Sequence, residues 1–130
     1  MFAAAMLLAA AGGAQAQSCT YRTPPSLIQF SPALDPSLAS TRTASTSTSI
    51  QCTGGASRPT WIFTGANGSS PLRMKHSTQN EFISYDVTAS YVSGGVGNQQ
   101  WNITATVLGA DYQNARVGDY SDVLTAQILP

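Results

Sequence analysis

The residue types that perform most protein chemistry are sparse in this chain. Among 130 residues there is one histidine, with two cysteines, six basic and six acidic side chains. A hydrolytic triad needs a base beside a nucleophile and a third group to orient the base. The single histidine, His76, stands in the polar run Lys75-His76-Ser77-Thr78 and reads as an exposed loop residue. Paired carboxylates serve glycoside hydrolysis. Glu81 and Asp86 are five positions apart and fall on opposite faces of an extended strand, while Asp119 and Asp122, three apart, diverge in the same way. Asp111, Asp119 and Asp122 lack the spacing of a calcium loop. No glycine-rich phosphate loop leads into a helix. Asn67-Gly68-Ser69 and Asn102-Ile103-Thr104 match the glycosylation pattern, which is short and frequent by chance. The sequence therefore assigns no catalytic, cofactor-binding or metal-binding residue, and an enzyme is not expected.

The two cysteines carry the remaining chemistry. The chain opens with an apolar run from Phe2 to Ala11 that ends in Ala14-Gln15-Ala16, the small-x-small ending that signal peptidase accepts. The run is too short to span a bilayer, which takes about 20 residues. A buried N-terminal helix is the alternative, but Ala-Gly-Gly-Ala would fray its end. No Lys or Arg precedes the run, so the usual positive region is missing and a start further upstream is allowed for. The expectation is a signal peptide over 1–16 and a mature domain over 17–130 without a membrane span. In an exported chain, Cys19 and Cys52 most simply pair. Their bridge closes a loop of roughly 34 residues and contributes about 3–4 kcal/mol on the chain-entropy argument.

Charged residues make up 9% of the chain and the formal net charge is zero, so no basic patch for nucleic acid exists. So little charge suits a protein packed into an assembly. No helix is expected beyond residue 17, because apolar residues do not recur at helical spacing and Ser, Thr, Gly and Asn are everywhere. Period-two alternation predicts strands over 27–30, 45–53, 60–64, 82–91, 101–108 and 120–129, with a short apolar piece at 72–74. The Ser/Thr tract of 45–53 reads as a strand rather than a linker, because its alternation runs into Ile50 and Cys52. Residues 93–98 read as a flexible connection. Many short strands between turn signals predict an all-β, antiparallel sandwich or barrel.

Four segments in this order resemble the spore coat protein U domain family, which includes subunits of archaic chaperone-usher pili. Cys19 is followed by Ser26-Leu27-Ile28-Gln29-Phe30-Ser31-Pro32, similar to the family's first strand. Ile50-Gln51-Cys52-Thr53 resembles the segment of its second cysteine. Pro71-Leu72-Arg73-Met74 with Phe82-Ile83-Ser84-Tyr85-Asp86-Val87 is similar to its middle segment. Gly118-Asp119-Tyr120-Ser121-Asp122-Val123-Leu124 resembles its terminal strand. The chain departs from the family at Phe30-Ser31, where Phe-Gly is common, and over 54–70.

The resemblance implies an immunoglobulin-like sandwich that lacks its last strand. A periplasmic chaperone fills the gap, and on an outer-membrane usher a neighbouring pilin subunit replaces it by donating a strand. The chain stops at Pro130, directly after its last predicted strand, as an incomplete sandwich requires; the alternative is a sheet that is already complete. On this reading Leu124, Ala126 and Ile128 line the groove beside the incoming strand, with Ile28 and Phe30 near its other edge. Cys19 and Cys52 staple the first two strands, and Tyr120 is similar to the sandwich tyrosine whose hydroxyl pins a corner. Only Gln17 and Ser18 stand between the expected cleavage point and Cys19, too few to donate a strand. That implies a fibre tip, with Val96 and Trp101 as candidate surface contacts; the plain alternative is a loop residue and a core tryptophan. The expected protein is a structural or adhesive subunit exported through the periplasm to the cell surface. The alternatives are a secreted matrix or coat protein that does not polymerise, and a stand-alone carbohydrate-binding sandwich module.

Overall fold

In the computed structural model, residues 8–9, 18–30, 33–53, 58–95 and 97–129 are described. The long strands follow the alternation of the sequence. They are β3 (Arg42–Thr53), β4 (Thr60–Gly65), β6 (Phe82–Gly94) and β7 (Asn98–Val107). On β3, Thr46, Thr48, Ile50 and Cys52 turn inward while Ser45, Ser47 and Gln51 face solvent. On β6 and β7, Ile83, Tyr85, Val87, Trp101, Ile103, Ala105 and Val107 are buried. The shorter strands are β1 (Leu8–Ala9), β2 (Ser18–Thr23), β5 (Leu72–His76), β8 (Tyr120–Ser121) and β9 (Leu124–Leu129).

Two sheets enclose the core. One has six strands in the order β2-β3-β7-β6-β5-β8, and the other has three in the order β1-β9-β4. All the described pairings are antiparallel except that of β1 with β9. The fold is the all-β sandwich read from the sequence, with its one disulfide between Cys19 and Cys52. These two cysteines sit directly opposite each other on β2 and β3. The bridge therefore fastens β2, an edge strand among the described residues, to its neighbour β3 in the six-stranded sheet.

Several local expectations are overturned. Residues 27–30 do not form a strand. Ile28 and Phe30 are 0% and 4% exposed and Leu27 is 51% exposed, so the alternation marks burial without pairing. Pro24 and Pro25 just before this segment carry no N–H for a ladder. The first strand beyond the expected leader is instead the mostly polar β2, with a bulge between Tyr21 and Thr23. The expected strand over 120–129 breaks at Asp122-Val123, and its halves join different sheets. The flexible connection over 93–98 is largely strand, since β6 runs to Gly94 and β7 starts at Asn98. Two short helices occur where none was expected. Asp35 caps a 3₁₀ turn at Pro36–Leu38 by accepting the Ser37 N–H at 2.9 Å, and α1 spans Gly109–Tyr112. Tyr112 anchors α1, its hydroxyl donating to Ser40 O at 2.7 Å and accepting the Ser40 N–H at 3.0 Å.

His76 is the sharpest correction. It ends β5, is buried, and serves structure. Its Nδ1 accepts the N–H groups of Thr78 and Gln79, each at 3.1 Å, which leaves Nε2 to donate to Val117 O at 2.9 Å. The ring fits because residue 118 is glycine: a Cβ there would lie 2.1 Å from His76 Nε2, and φ is +147°.

Two measurements check this account. Gly118→Ala should destabilise the fold by about 2 kcal/mol or more through clash and backbone strain, read as a lower urea midpoint. Replacing both cysteines by alanine should cost about 3 kcal/mol by the same measurement, for a bridge across a sequence separation of 33.

Candidate functional site

The outer edge of β9 carries three of the residues expected to line a groove, Leu124, Ala126 and Ile128. One hydrogen bond fixes its phase. Ala66 N donates to Val123 O at 3.0 Å, in line with the β4–β9 register. Backbone groups alternate sides along an antiparallel strand. Thr125, Gln127 and Leu129 therefore bond toward β4, and the N–H and C=O groups of Leu124, Ala126 and Ile128 point to the opposite edge. The side chains of the same three residues are 2%, 3% and 0% exposed. β9 is thus held in the core by the residues whose backbone faces outward.

Part of that edge is occupied. β1 pairs with it in parallel, Leu8 opposite Gln127 and Ala9 opposite Ile128. Further along, the Tyr21 hydroxyl reaches over from β2 and donates to Ala126 O at 2.9 Å. Burial pushes the Tyr21 hydroxyl well above the ordinary phenol range, which keeps it a neutral donor. No described strand pairs with Leu124 on this side.

The residues expected to line a groove are distributed as follows. Ile28, Phe30 and Leu124 pack in one apolar cluster with Met74, Ile83 and Tyr120. Ile128 packs in a second, with Cys19, Cys52 and Trp101. Their side chains are buried, so what the edge presents is backbone. Trp101, considered as a surface contact, is 7% exposed; its Nε1 donates to Gln99 Oε1 at 2.8 Å and its ring meets Trp61 and Tyr91. It is a core residue, because it lies on the inward face of a central strand. Val96 lies outside the described residues. The Tyr120 hydroxyl donates to Arg116 O, four residues upstream, at 2.7 Å. Arg116 in turn donates to Glu81 at 2.9 Å, and that hydrogen bond holds the Glu81 carboxyl below its ordinary range.

Sequence reasoning missed the group that steers β9. Asp122 is 3% exposed and stands where the chain leaves β8 for the other sheet. Its carboxylate accepts the Tyr85 hydroxyl, the Ala66 N–H at 3.1 Å and Asn67 Nδ2 at 3.1 Å. Asn67 Nδ2 also reaches Arg73 O at 3.2 Å, and Arg73 Nε returns a bond to Asn67 O at 3.0 Å. Burial, the hydrogen bond to Asp122 and that carboxylate's charge, in that order, push the Tyr85 hydroxyl far above the phenol range. Gly65 is required beside it, since a Cβ would lie 2.7 Å from Asp122 Oδ2. The readable signals were the Asn67-Gly68 turn and the Tyr120-x-Asp122 pair; their partnership lies in three dimensions only. Among the described residues no three His, Cys, Asp or Glu side chains come together as a metal site, and no helix is long and apolar enough to cross a membrane.

The Spore Coat Protein U domain matches residues 4–91. The chain belongs to that family. The match starts within the apolar N-terminal stretch, takes in both cysteines and ends at Tyr91 in β6, so β7 to β9 lie beyond it. No curated protein and no solved structure matches the chain. The family is one of structural pilus and coat subunits, and membership suggests a subunit of that type.

In this domain Asp122 ties the 65–71 turn to the entry of β9. Asp122→Ala would remove the buried carboxylate that accepts the Tyr85 hydroxyl, and one of the two acceptors of the Ala66 N–H, which keeps Val123 O, while the Asn67 amide keeps Arg73 O. The expected loss is about 3 kcal/mol, read as a lower urea midpoint. Tyr21→Phe removes one hydrogen bond at the edge and should cost about 1 kcal/mol.

Proposed function

We propose that this domain is a strand-accepting subunit of an extracellular fibre or coat, assembled by the chaperone-usher route. The observation that carries the reading is the outer edge of β9. Three consecutive outward-facing backbone positions, Leu124, Ala126 and Ile128, are pinned in the core by their own side chains. A strand laid along such an edge gains main-chain hydrogen bonds, and its alternate side chains meet the apolar interior. An edge left open would aggregate.

The seating of Leu8–Ala9 on this edge supports the reading, since a segment remote in sequence adds there as a strand. Those two residues belong to the stretch read as a leader. Cleavage after Ala16 would remove them and leave the edge to a periplasmic chaperone first and a neighbouring pilin subunit afterwards. The same cleavage leaves Gln17 and Ser18 ahead of Cys19, so the mature domain takes a strand without giving one. That position suits a fibre tip. β2, fastened by the disulfide, forms the opposite wall, and Tyr21 spans the gap between them.

The test is a pull-down of the tagged, exported domain from its native periplasm, with mass spectrometry of what accompanies it. A stoichiometric chaperone is expected, and Ala126→Pro, which removes an outward N–H from the middle of β9, should abolish its capture. A folded, monomeric and unaccompanied domain would mean that the sandwich is complete by itself, and would overturn the proposal.

A further inference from the structure

The three-stranded sheet has a second edge, formed by β4. The β4–β9 register commits the backbone groups of Thr60, Ile62 and Thr64 to β9, so those of Trp61, Phe63 and Gly65 face outward. Ser69 Oγ accepts the outward Gly65 N–H at 3.2 Å, which closes that end. The outward groups of Trp61 and Phe63 have no partner among the described residues. Nothing on the strand blunts this edge. Edge strands are ordinarily guarded by a charge, a proline or a bulge, and Thr60-Trp61-Ile62-Phe63-Thr64 contains none of these.

The strand is also its own complement. Read in either direction from Ile62, it runs aromatic and then threonine. We propose that β4 pairs antiparallel with β4 of a second copy about a two-fold axis at Ile62. Trp61 then stands opposite the partner's Phe63, and Phe63 opposite the partner's Trp61, in hydrogen-bonded pairs that use all four outward groups of Trp61 and Phe63 on each strand. Ile62 meets its own copy, and Thr60 meets the partner's Thr64, at the intervening positions where side chains lie closest. Each pairing is a favourable one: aromatic on aromatic, β-branched on β-branched, threonine on threonine.

Two features of the monomer fit this occupant. Ile62 is 40% exposed on the outer face. Trp61 and Phe63, although on the inward face, are only half-buried, and their rings stack at 6.1 Å. A second copy would cover both. A chain with zero net charge opposes its own association weakly. The pairing is isologous and so closes as a dimer. It leaves the β9 edge free and stands independently of strand acceptance there.

The experiment uses the purified full chain, with folding checked by near-ultraviolet circular dichroism. Sedimentation velocity over a wide concentration range should show a monomer–dimer equilibrium. Ile62→Lys changes an outward side chain and sets two like charges opposite each other, so the dissociation constant should rise by about tenfold or more. Ile62→Cys should form an intermolecular disulfide on mild oxidation, because the two copies lie about 4.5 Å apart at Cα. Thr60→Cys and Thr64→Cys should link to each other when mixed and not to themselves, since like positions sit about 13 Å out of register. A monomer at every concentration would overturn the proposal. So would a dimer that withstands Ile62→Lys and leaves the Ile62→Cys variant unlinked, which would assign the association to the β9 edge. Self-linking of Thr64→Cys would overturn the register.

Discussion

Every backbone N–H and C=O taken out of water must find a partner, and in this domain that requirement bears hardest on β9. Its buried residues Leu124, Ala126 and Ile128 draw the strand into the core between the two apolar clusters. The same three residues aim their backbone groups at an edge that has no full-length neighbour among the described residues. The chain meets this need in fragments: a two-residue parallel pairing at Gln127 and Ile128, and a phenol hydroxyl on Ala126 O. Unlike a strand, a side-chain donor brings no acceptor in return, so Tyr21 satisfies a carbonyl without completing a ladder. The disulfide matters in this setting because β2 has β3 as its only described neighbour. Without the bridge, the wall that carries Tyr21 would depend on a single antiparallel ladder interrupted by a bulge.

Asp122 explains how β9 reaches that position. The chain must leave the six-stranded sheet after Ser121 and enter the other at Leu124, within two residues. A carboxylate at the crossing collects three donors from two places: Ala66 and Asn67 in the turn after β4, and Tyr85 on β6. It joins both sheets and the intervening turn at one point. In a chain this poor in charge, no cation among the described residues pairs with this buried acid to offset its desolvation, so hydrogen bonds must do it. Three donors on one carboxylate meet that requirement. The neighbouring guanidinium of Arg73 works one step away, holding Asn67 through its carbonyl while stacking over Phe82.

What could be read from the sequence follows the same physics. Period-two alternation reports which side chains are buried, and it marked the central strands β3, β6 and β7 well because each has one face on the core. It does not report whether a backbone is paired. Residues 27–30 alternate as cleanly as a strand yet follow two prolines and have no ladder, whereas β2 pairs along its length with a largely polar sequence. The break at Asp122 was invisible because its partners lie more than thirty positions upstream. His76 looked exposed for a related reason: polar neighbours suggested a loop, while the cavity that buries it is made by the missing side chain of Gly118. Among the residues considered for the site, the burial of those on β9 was legible through alternation. Tyr21, Asn67 and Asp122 were not, because each acts on a backbone or side-chain partner distant in sequence.

The two edges of the small sheet differ in what they require. On β9 the outward backbone belongs to the residues whose side chains are buried, so on the proposed reading an incoming strand pairs close against the core and comes from a dedicated donor. On β4 the outward backbone belongs to Trp61 and Phe63, while the flanking Thr60, Ile62 and Thr64 lie on the solvent face. An incoming strand there needs little depth, only a matching row of β-branched and aromatic residues, and the chain itself carries one. Because a strand added to β9 and a strand added to β4 lie on opposite sides of the same sheet, the two pairings do not compete for backbone groups. The sheet could then carry assembly along one axis through β9 and across it through β4, with the scarcity of charge serving both.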